Sequence, residues 1–243
     1  MKCIVVIPAR MTSSRLPGKP LINILGKSLI QRTYEQCLKA VPANRIYVAT
    51  EDKAIYIHCE ERNMQVLMTS KNCLTGTDRV AEVAEQIHAD YYINVQGDEP
   101  LINPQDIIDV EKSLGKYLGE VINGYAPIDK EIQFRSLTIP KVVCRPDGRL
   151  LYMSRSPIPG NKKNEFIKSW KQVCIYAFPK LALLAFAEKK KKTELEGFED
   201  IEVLRFLEMG YEVRMLQLSK DSIAVDTPED VIKVIEKIKK IEN

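Results

Sequence analysis

Three cations stand in one short stretch, PARMTSSRLPGKP from Pro8 to Pro20: Arg10, Arg15 and Lys19. Hydroxyls at Thr12, Ser13 and Ser14 lie among them. Such a set suits phosphate oxygens, because a guanidinium fork grips two oxygens at once and a lysine acts as a mobile point charge. A solvated basic turn is the competing reading. The stretch directly follows the apolar run KCIVVIP, and in an open parallel sheet ligands gather beyond the carboxyl ends of strands. That position favours the phosphate cradle. It is not a Walker A loop, since Ser13 replaces the first glycine and Pro20 follows the lysine. It holds no GxGxxG either, which takes support from a dinucleotide oxidoreductase.

Acids appear at two other places. In VQGDEP (Val95 to Pro100) an apolar run meets a glycine and then Asp98 and Glu99. A carboxylate there, near a polyphosphate, meets the needs of Mg²⁺, which takes one or two protein carboxylates and completes its shell with water and phosphate oxygens. A turn with capping acids is the other reading. AVDTPED (Ala224 to Asp230) is a good helix start, with proline near N1 and acids complementing the dipole. Asp226 is also a candidate second metal ligand, and the two readings are compatible. In TGTDR (Thr75 to Arg79), Gly76 permits close backbone approach, Thr77 or Asp78 can cap a helix, and the backbone donors there could read a base edge.

Strands and helices must bring these segments together. The continuous apolar run KCIVVIP predicts a strand covered on both faces. Helical spacing follows over Lys27 to Ala40, then a strand in RIYVAT, a helix from Asp52 to Arg62, a strand in MQVLM, a helix from Thr77 to Gln86 and a strand in DYYINVQ. This alternation predicts a Rossmann-like, mostly parallel twisted sheet flanked by helices, with right-handed crossovers. Further on, SLTIPKVVCRPDGRLLYMS reads as two β-runs joined by a turn. KQVCIYAF and YEVRMLQL read as strands, and LALLAFAEKKKK, Glu199 to Glu208 and Pro228 to Ile241 as helices. We expect one nucleotidyltransferase-type α/β domain over residues 1–243, with a β-rich insertion at about 125–195.

Composition narrows the class. A hydrophobic content of 45% supports a core, and a net charge of +3 is too weak to argue for nucleic acid. The EKKKK run at Glu188 to Lys192 reads as a solvated helix end or loop. No apolar span reaches the length of a transmembrane helix, and MKCIVVIPAR is too short for a signal peptide. Cys3, Cys37, Cys59, Cys73, Cys144 and Cys174 form no CxxC pair and read as reduced, mostly buried thiols. His58 and His88 have no partner at metal-ligand spacing. A cytoplasmic protein without a covalent-catalysis constellation is expected.

Taken in order, PARMTSSRLPGKPL, TGTDRVAE, NVQGDEPLI, YMSRSPIP and VDTPEDV resemble the 3-deoxy-manno-octulosonate (KDO) cytidylyltransferases over nearly the whole chain. The resemblance implies transfer of CMP from CTP to the anomeric hydroxyl of an acidic sugar, with release of pyrophosphate, Mg²⁺ as cofactor, and a role in lipopolysaccharide or capsule biosynthesis. It implies that Arg10 and Lys19 hold the CTP phosphates, with Arg15 and Ser14 as lesser candidates. Ser70, Gly76 and Thr77 would line the cytidine pocket and Gln96 would lie beside the nucleotide. Asp98 and Asp226 would bind magnesium, and Arg155, Tyr176 and Glu202 would face the acceptor. It also implies a homodimer formed through the β-rich second half. Two positions depart from the family pattern: Gln172 stands where a histidine is usual, and Val203 where a glutamine is usual. Both fall on the acceptor side, which raises a related ulosonic acid, an amino-substituted one, or a phosphonate as the alternative acceptor. A nucleotide-binding regulator without catalysis is the reading from another class, opposed by the presence of both acidic metal candidates.

Overall fold

The computed structural model of the chain describes residues 1–12, 15–220 and 222–242. Strand β1 (Cys3–Pro8) is buried along its whole length, as its uninterrupted apolar sequence requires. A two-residue hairpin, β2 (Asn23–Ile24) and β3 (Lys27–Ser28), leads into helix α1 (Leu29–Leu38). Ser28 caps α1 by accepting from the Gln31 amide, and its hydroxyl also lies 2.7 Å from Nε2 of His58. Then follow β4 (Ile46–Thr50), α2 (Lys53–Glu60) capped by Asp52, β5 (Val66–Met68), α3 (Gly76–Gln86) and β6 (Tyr91–Val95). In this half β4 and β6 flank β1 in parallel, with Val5 opposite Ile46 and Cys3 opposite Tyr91, and β5 continues beside β4.

The second half continues the same sheet. Its elements are α4 (Pro104–Ser113), β7 (Val121–Pro127), α5 (Glu131–Arg135), β8 (Lys141–Cys144), β9 (Leu150–Ser154) and β10 (Trp170–Pro179). They are followed by α6 (Lys180–Glu188), α7 (Glu194–Glu199), α8 (Val203–Glu208), β11 (Val213–Gln217) and α9 (Pro228–Glu242). The nine-stranded sheet runs β11-β7-β10-β6-β1-β4-β5, with β8 and β9 attached to β10. β10 is antiparallel to β6 and to β7, so within 125–195 this strand is central to the sheet while β8 and β9 extend it. The β10–β7 register breaks between Val173 and Tyr176. There Asn123 Nδ2 donates to the carbonyls of Val173 (3.1 Å) and Ile175 (2.8 Å), filling the gap in the ladder.

Two cores cover the two faces. One packs Tyr34, Cys37, Ile55, Cys59, Ile107 and Val110 of α1, α2 and α4 against β1 and β6. The other packs Val80, Val83 and Ala84 of α3 with Leu183, Phe186, Leu204 and Phe206 of α6 and α8. A smaller third core joins Ile24 and Leu29 to Val225, Val234 and Ile238, so α9 ties the chain's end to the segment behind the basic loop. Each fully buried aliphatic or aromatic side chain contributes about 1.5–3 kcal/mol. All six cysteines are free thiols, as their spacing predicts.

Several elements differ from the sequence-based expectation. Over Glu199 to Glu208, where one helix is expected, α7 ends at Glu199 and α8 begins at Val203, parted where Asp200 takes a left-handed conformation with φ 52°. No Gly or Pro marks that break, but Thr193-x-x-Glu196 does mark the start of α7, because the two form a capping box. Strand β7, the β2–β3 hairpin and helices α4, α5 and α7 are additional. The start of α4 was encoded in Asn103-Pro104, with Asn103 Oδ1 accepting from the Gln105 amide.

Candidate active site

The carboxyl ends of β1 and β6 open into one cleft of about 810 Å³. Beyond β1, Ala9 extends the pairing with an amide bond to the Ala49 carbonyl (2.9 Å), and the basic loop then closes on itself through Gly18 N to Met11 O (3.3 Å). Gly18 adopts φ 70°, a left-handed conformation that glycine accepts freely. Pro20 follows in a 3₁₀ turn, and together they aim Lys19 into the cleft. Beyond β6, Gly97 is required by close approach: a Cβ there would lie 2.8 Å from the Pro8 carbonyl oxygen. Glycine therefore lets β6 deliver Asp98 directly beside the basic loop.

The third contributor arrives from the far end of the sheet. After β11 the chain crosses back over the strand ends, held at successive points. The Ser219 amide and hydroxyl donate to Asp106 at 3.0 and 2.5 Å, Ser222 donates to Glu99, and the Val225 amide donates to the Asp98 carbonyl at 2.9 Å. At its end the Asp230 carboxylate accepts from the amides of Asp226 (3.2 Å) and Thr227 (3.1 Å). Asp230 thus caps α9 while the Asp226 side chain faces the cleft. Lys19 Nζ lies 2.5 Å from Asp98 Oδ2 and 3.2 Å from Asp226 Oδ1, and Arg15 lies 3.2 Å from the same Asp226 oxygen. Burial works against charge on Lys19, but Asp98 and then Asp226 outweigh it and hold the ammonium above its ordinary pKa range.

Arg10 is exposed, lines the cleft and pairs with no acid among the described residues. Gln96 and Gly76 also line it and face each other, the Gln96 amide lying 3.5 Å from where a Gly76 Cβ would be. Thr77 and Glu202 are joined: Glu202 accepts from the Gly76 amide (3.3 Å), the Thr77 amide (3.0 Å) and the Thr77 hydroxyl (2.5 Å). Burial raises the Glu202 pKa against the opposing effect of these bonds. Glu202 therefore occupies the backbone donors at the start of α3. Ser14 lies outside the described residues.

The other candidates sit apart from the cleft lining. Ser70 shapes the loop after β5, its amide donating to Glu82 at 2.6 Å and its hydroxyl accepting from the Asn72 amide. Arg155 donates to the carbonyls of Glu199 (2.6 Å), Asp200 (2.9 Å) and Leu137 (3.2 Å). Gln172 Nε2 donates to Asn123 Oδ1 at 3.0 Å. Tyr176 is half-buried and stacks on Phe178, and Val203 is a core residue.

Sequence reasoning missed three charged lining residues: Arg79, Lys192 and Asp200. Arg79 is buried and pairs with Glu51 at 2.6 Å. It belonged to TGTDR, where attention fell on its neighbours. Lys192, at the end of the lysine run, pairs with Asp200 at 2.5 Å. That ion pair and burial act in opposite directions on Asp200, the Lys192 hydrogen bond dominating and lowering its pKa.

Glu99 supplies a test of how the crossing segment is held. Burial, with Asp98 adding to it, pushes its pKa up to about 7 from 4.5. The folded chain thus holds a proton there that the unfolded chain has lost between those two values. Stability from this group is greatest below about 4.5 and declines as pH rises through 7. Glu99→Gln is expected to remove that decline. In metal-free urea denaturation the variant should be more stable than the parent at pH 8 by up to ~3 kcal/mol and lose the advantage at pH 5.

A family model described as cytidylyltransferase matches residues 4–222. The chain is 40% identical over 239 residues to the 3-deoxy-manno-octulosonate cytidylyltransferase of Protochlamydia amoebophila, covering 95% of this chain and 92% of that protein. It is 38% identical over 257 residues to the Geobacter metallireducens protein of the same name, with both covered in full. Among solved structures it superposes on CMP:2-keto-3-deoxy-manno-octonic acid synthetase complexed with CTP, with a TM-score of 0.91, 33% identity and 99% of both chains covered. The Yersinia pseudotuberculosis HddC structure, at 19% identity and a TM-score of 0.70 over 98% of this chain and 100% of that one, shares the fold. With a match of this extent joined to a basic loop, a strand-end aspartate and a returning aspartate around one cleft, the chain belongs to the cytidylyltransferase family, among the 3-deoxy-manno-octulosonate cytidylyltransferases.

Proposed function

We propose that the protein transfers CMP from CTP to 3-deoxy-manno-octulosonate or a closely similar sugar acid and releases pyrophosphate. One observation carries this reading: Lys19, Asp98 and Asp226 meet in a cleft that also holds Arg10, Arg15, Gln96 and Gly76. The likeness to a CTP-bound synthetase supports the same assignment.

In this reading the acceptor hydroxyl oxygen forms a bond to the α-phosphorus while the bond to the bridging oxygen of pyrophosphate breaks. The electron pair leaves with pyrophosphate and the hydroxyl proton is released. Arg10 and Arg15 grip the outer phosphates, and Lys19 meets the charge that builds on the α-phosphoryl oxygens. Asp98 and Asp226 would hold Mg²⁺, whose bound charge neutralises phosphate oxygens during transfer. The donor set fits this ion. Two carboxylates already converge on one cation, the Lys19 ammonium, and among the described residues no group of three or more His, Cys, Asp or Glu forms a full cage. Two carboxylates completed by water and phosphate suit Mg²⁺. The start of α3 with Gly76 and Thr77 would accommodate the cytidine, and Glu202, fixed on their donors, would link this subsite to the acceptor.

Acceptor choice is the finer point. Gln172 is committed to Asn123 and Val203 is buried in the core, so neither offers the acceptor the groups usual in the family. This favours a second reading, an amino-substituted or other ulosonic acid or a phosphonate. Pyrophosphate release from CTP and Mg²⁺ across a panel of such acids tests both. KDO is expected to be turned over, and turnover with another acid alone would replace it. Tight CTP binding with no turnover on any acid would instead make the protein a nucleotide sensor.

We also propose a homodimer through the second half, supported by the exposed Ile132, Leu137, Leu151 and Ile167 there. A cytoplasmic setting is supported by the free thiols. Among the described residues no helix is long and apolar enough to cross a membrane.

A further inference from the structure

The cations and acids of the cleft neutralise each other. Lys19 pairs with both Asp98 and Asp226, and Arg15 pairs with Asp226. Two positive groups therefore face two negative ones. The Lys19 side chain is only 17% exposed and the Asp98 side chain 25%, so neither can lose its partner to bulk water without a substantial desolvation cost.

Each substrate component alone meets this arrangement unfavourably. A free divalent ion must displace an ammonium seated between its two carboxylates, leaving Lys19 and Arg15 with no counter-charge. Free CTP finds these cations already paired, and its phosphates approach two carboxylates. A metal–nucleotide complex brings both missing partners together. The carboxylates pass to the ion and the cations pass to the phosphates, so neither the carboxylates nor the two cations are left without a counter-charge. Arg10, exposed at the cleft and paired with no acid among the described residues, can contact phosphate before that exchange.

We infer that Lys19 makes this site selective for the metal–CTP complex over free metal, by holding Asp98 and Asp226 in ion pairs that only the complex exchanges, with the exposed Arg15 a minor contributor on Asp226. The inference rests on the metal assignment proposed above. It gives Lys19 a task before the reaction, distinct from meeting charge on the α-phosphate. Because binding couplings are reciprocal, a metal between the two carboxylates weakens the hold of the ammonium on them by the same factor as the ammonium weakens metal binding.

The experiment is equilibrium dialysis of Mn²⁺, as a divalent probe, against the nucleotide-free protein, Lys19→Met, Lys19→Gln and Arg15→Gln, with Asp98→Asn as the blank. Circular dichroism melting verifies that each variant is folded. Both Lys19 variants are expected to bind Mn²⁺ about tenfold or more tighter than the parent. Arg15→Gln, which removes an equal charge but leaves the ammonium between the carboxylates, should gain roughly threefold or less. Equal gains in the Lys19 and Arg15 variants would overturn the inference, because charge alone would then explain the effect. So would unchanged Mn²⁺ affinity in the Lys19 variants, if the parent dialysed with CTP retains one Mn²⁺ per site. Failure of every protein to retain Mn²⁺, CTP included, would instead remove the metal assignment and the inference with it.

Discussion

Asp98→Asn should lower CMP transfer by about 10³-fold or more while leaving the fold intact, since preorganised charge at a phosphoryl centre is worth several kcal/mol in the transition state. The substitution keeps the side chain's size and position but removes the charge that faces Lys19 at 2.5 Å. It also leaves untouched the Asp98 carbonyl, which accepts from Val225 and anchors the crossing segment. Lys19 keeps Asp226 as a counter-charge, so stability should fall by about 1–2 kcal/mol, within the usual range for one substitution. Steady-state pyrophosphate release checks the first number and thermal melting the second. Activity within tenfold of the parent would show that Asp98 does not serve the reaction and would remove the functional reading of the cleft.

The second large effect is structural and lies outside the cleft. Arg205 is fully buried, donates to both oxygens of the equally buried Glu196 at 2.6 and 2.7 Å, and reaches Asp78 at 3.3 Å. Its guanidinium also lies 3.7 Å from the centre of the Phe186 ring. Arg205→Met fills much of the volume but leaves a buried carboxylate unpaired, which costs about 3–5 kcal/mol. For a chain of this size the melting temperature should fall by on the order of 10 °C. Arg205→Lys should recover little of this, because an ammonium cannot make the paired contact of the guanidinium fork.

A functional consequence accompanies this loss. Asp78 shares Arg205 with Glu196 and forms the capping box with Thr75 at the start of α3. Glu202 lies three positions before Arg205 and binds the Gly76 and Thr77 donors. Freeing Asp78 loosens both sides of the proposed cytidine subsite, so KM for CTP should rise even at temperatures where the variant is folded. A variant that melts within about 2 °C of the parent would show that packing around Phe186 and Phe206 supports α8 without the ion pair.

The sequence by itself carried the parallel half of the sheet and the candidates that meet in the cleft. Uninterrupted apolar runs identify doubly covered strands, and the residues at their carboxyl ends are where an open sheet presents a ligand, so Arg10, Lys19 and Asp98 were legible from local order alone. Asp226 was legible only as a candidate, because a helix start and a cleft-facing acid have the same local sequence. Tertiary structure resolved that ambiguity: Asp230 takes the capping work and leaves the Asp226 carboxylate facing Lys19. The central antiparallel position of β10, the break at Asp200 and the places of Arg79, Lys192 and Glu202 in the cleft lining depend on contacts between segments far apart in the chain. Backbone propensity and spacing report neighbours within a few residues. They carry no record of which distant donor will meet a carboxylate, and that meeting made Glu202 the partner of α3 and Lys19 the partner of both aspartates.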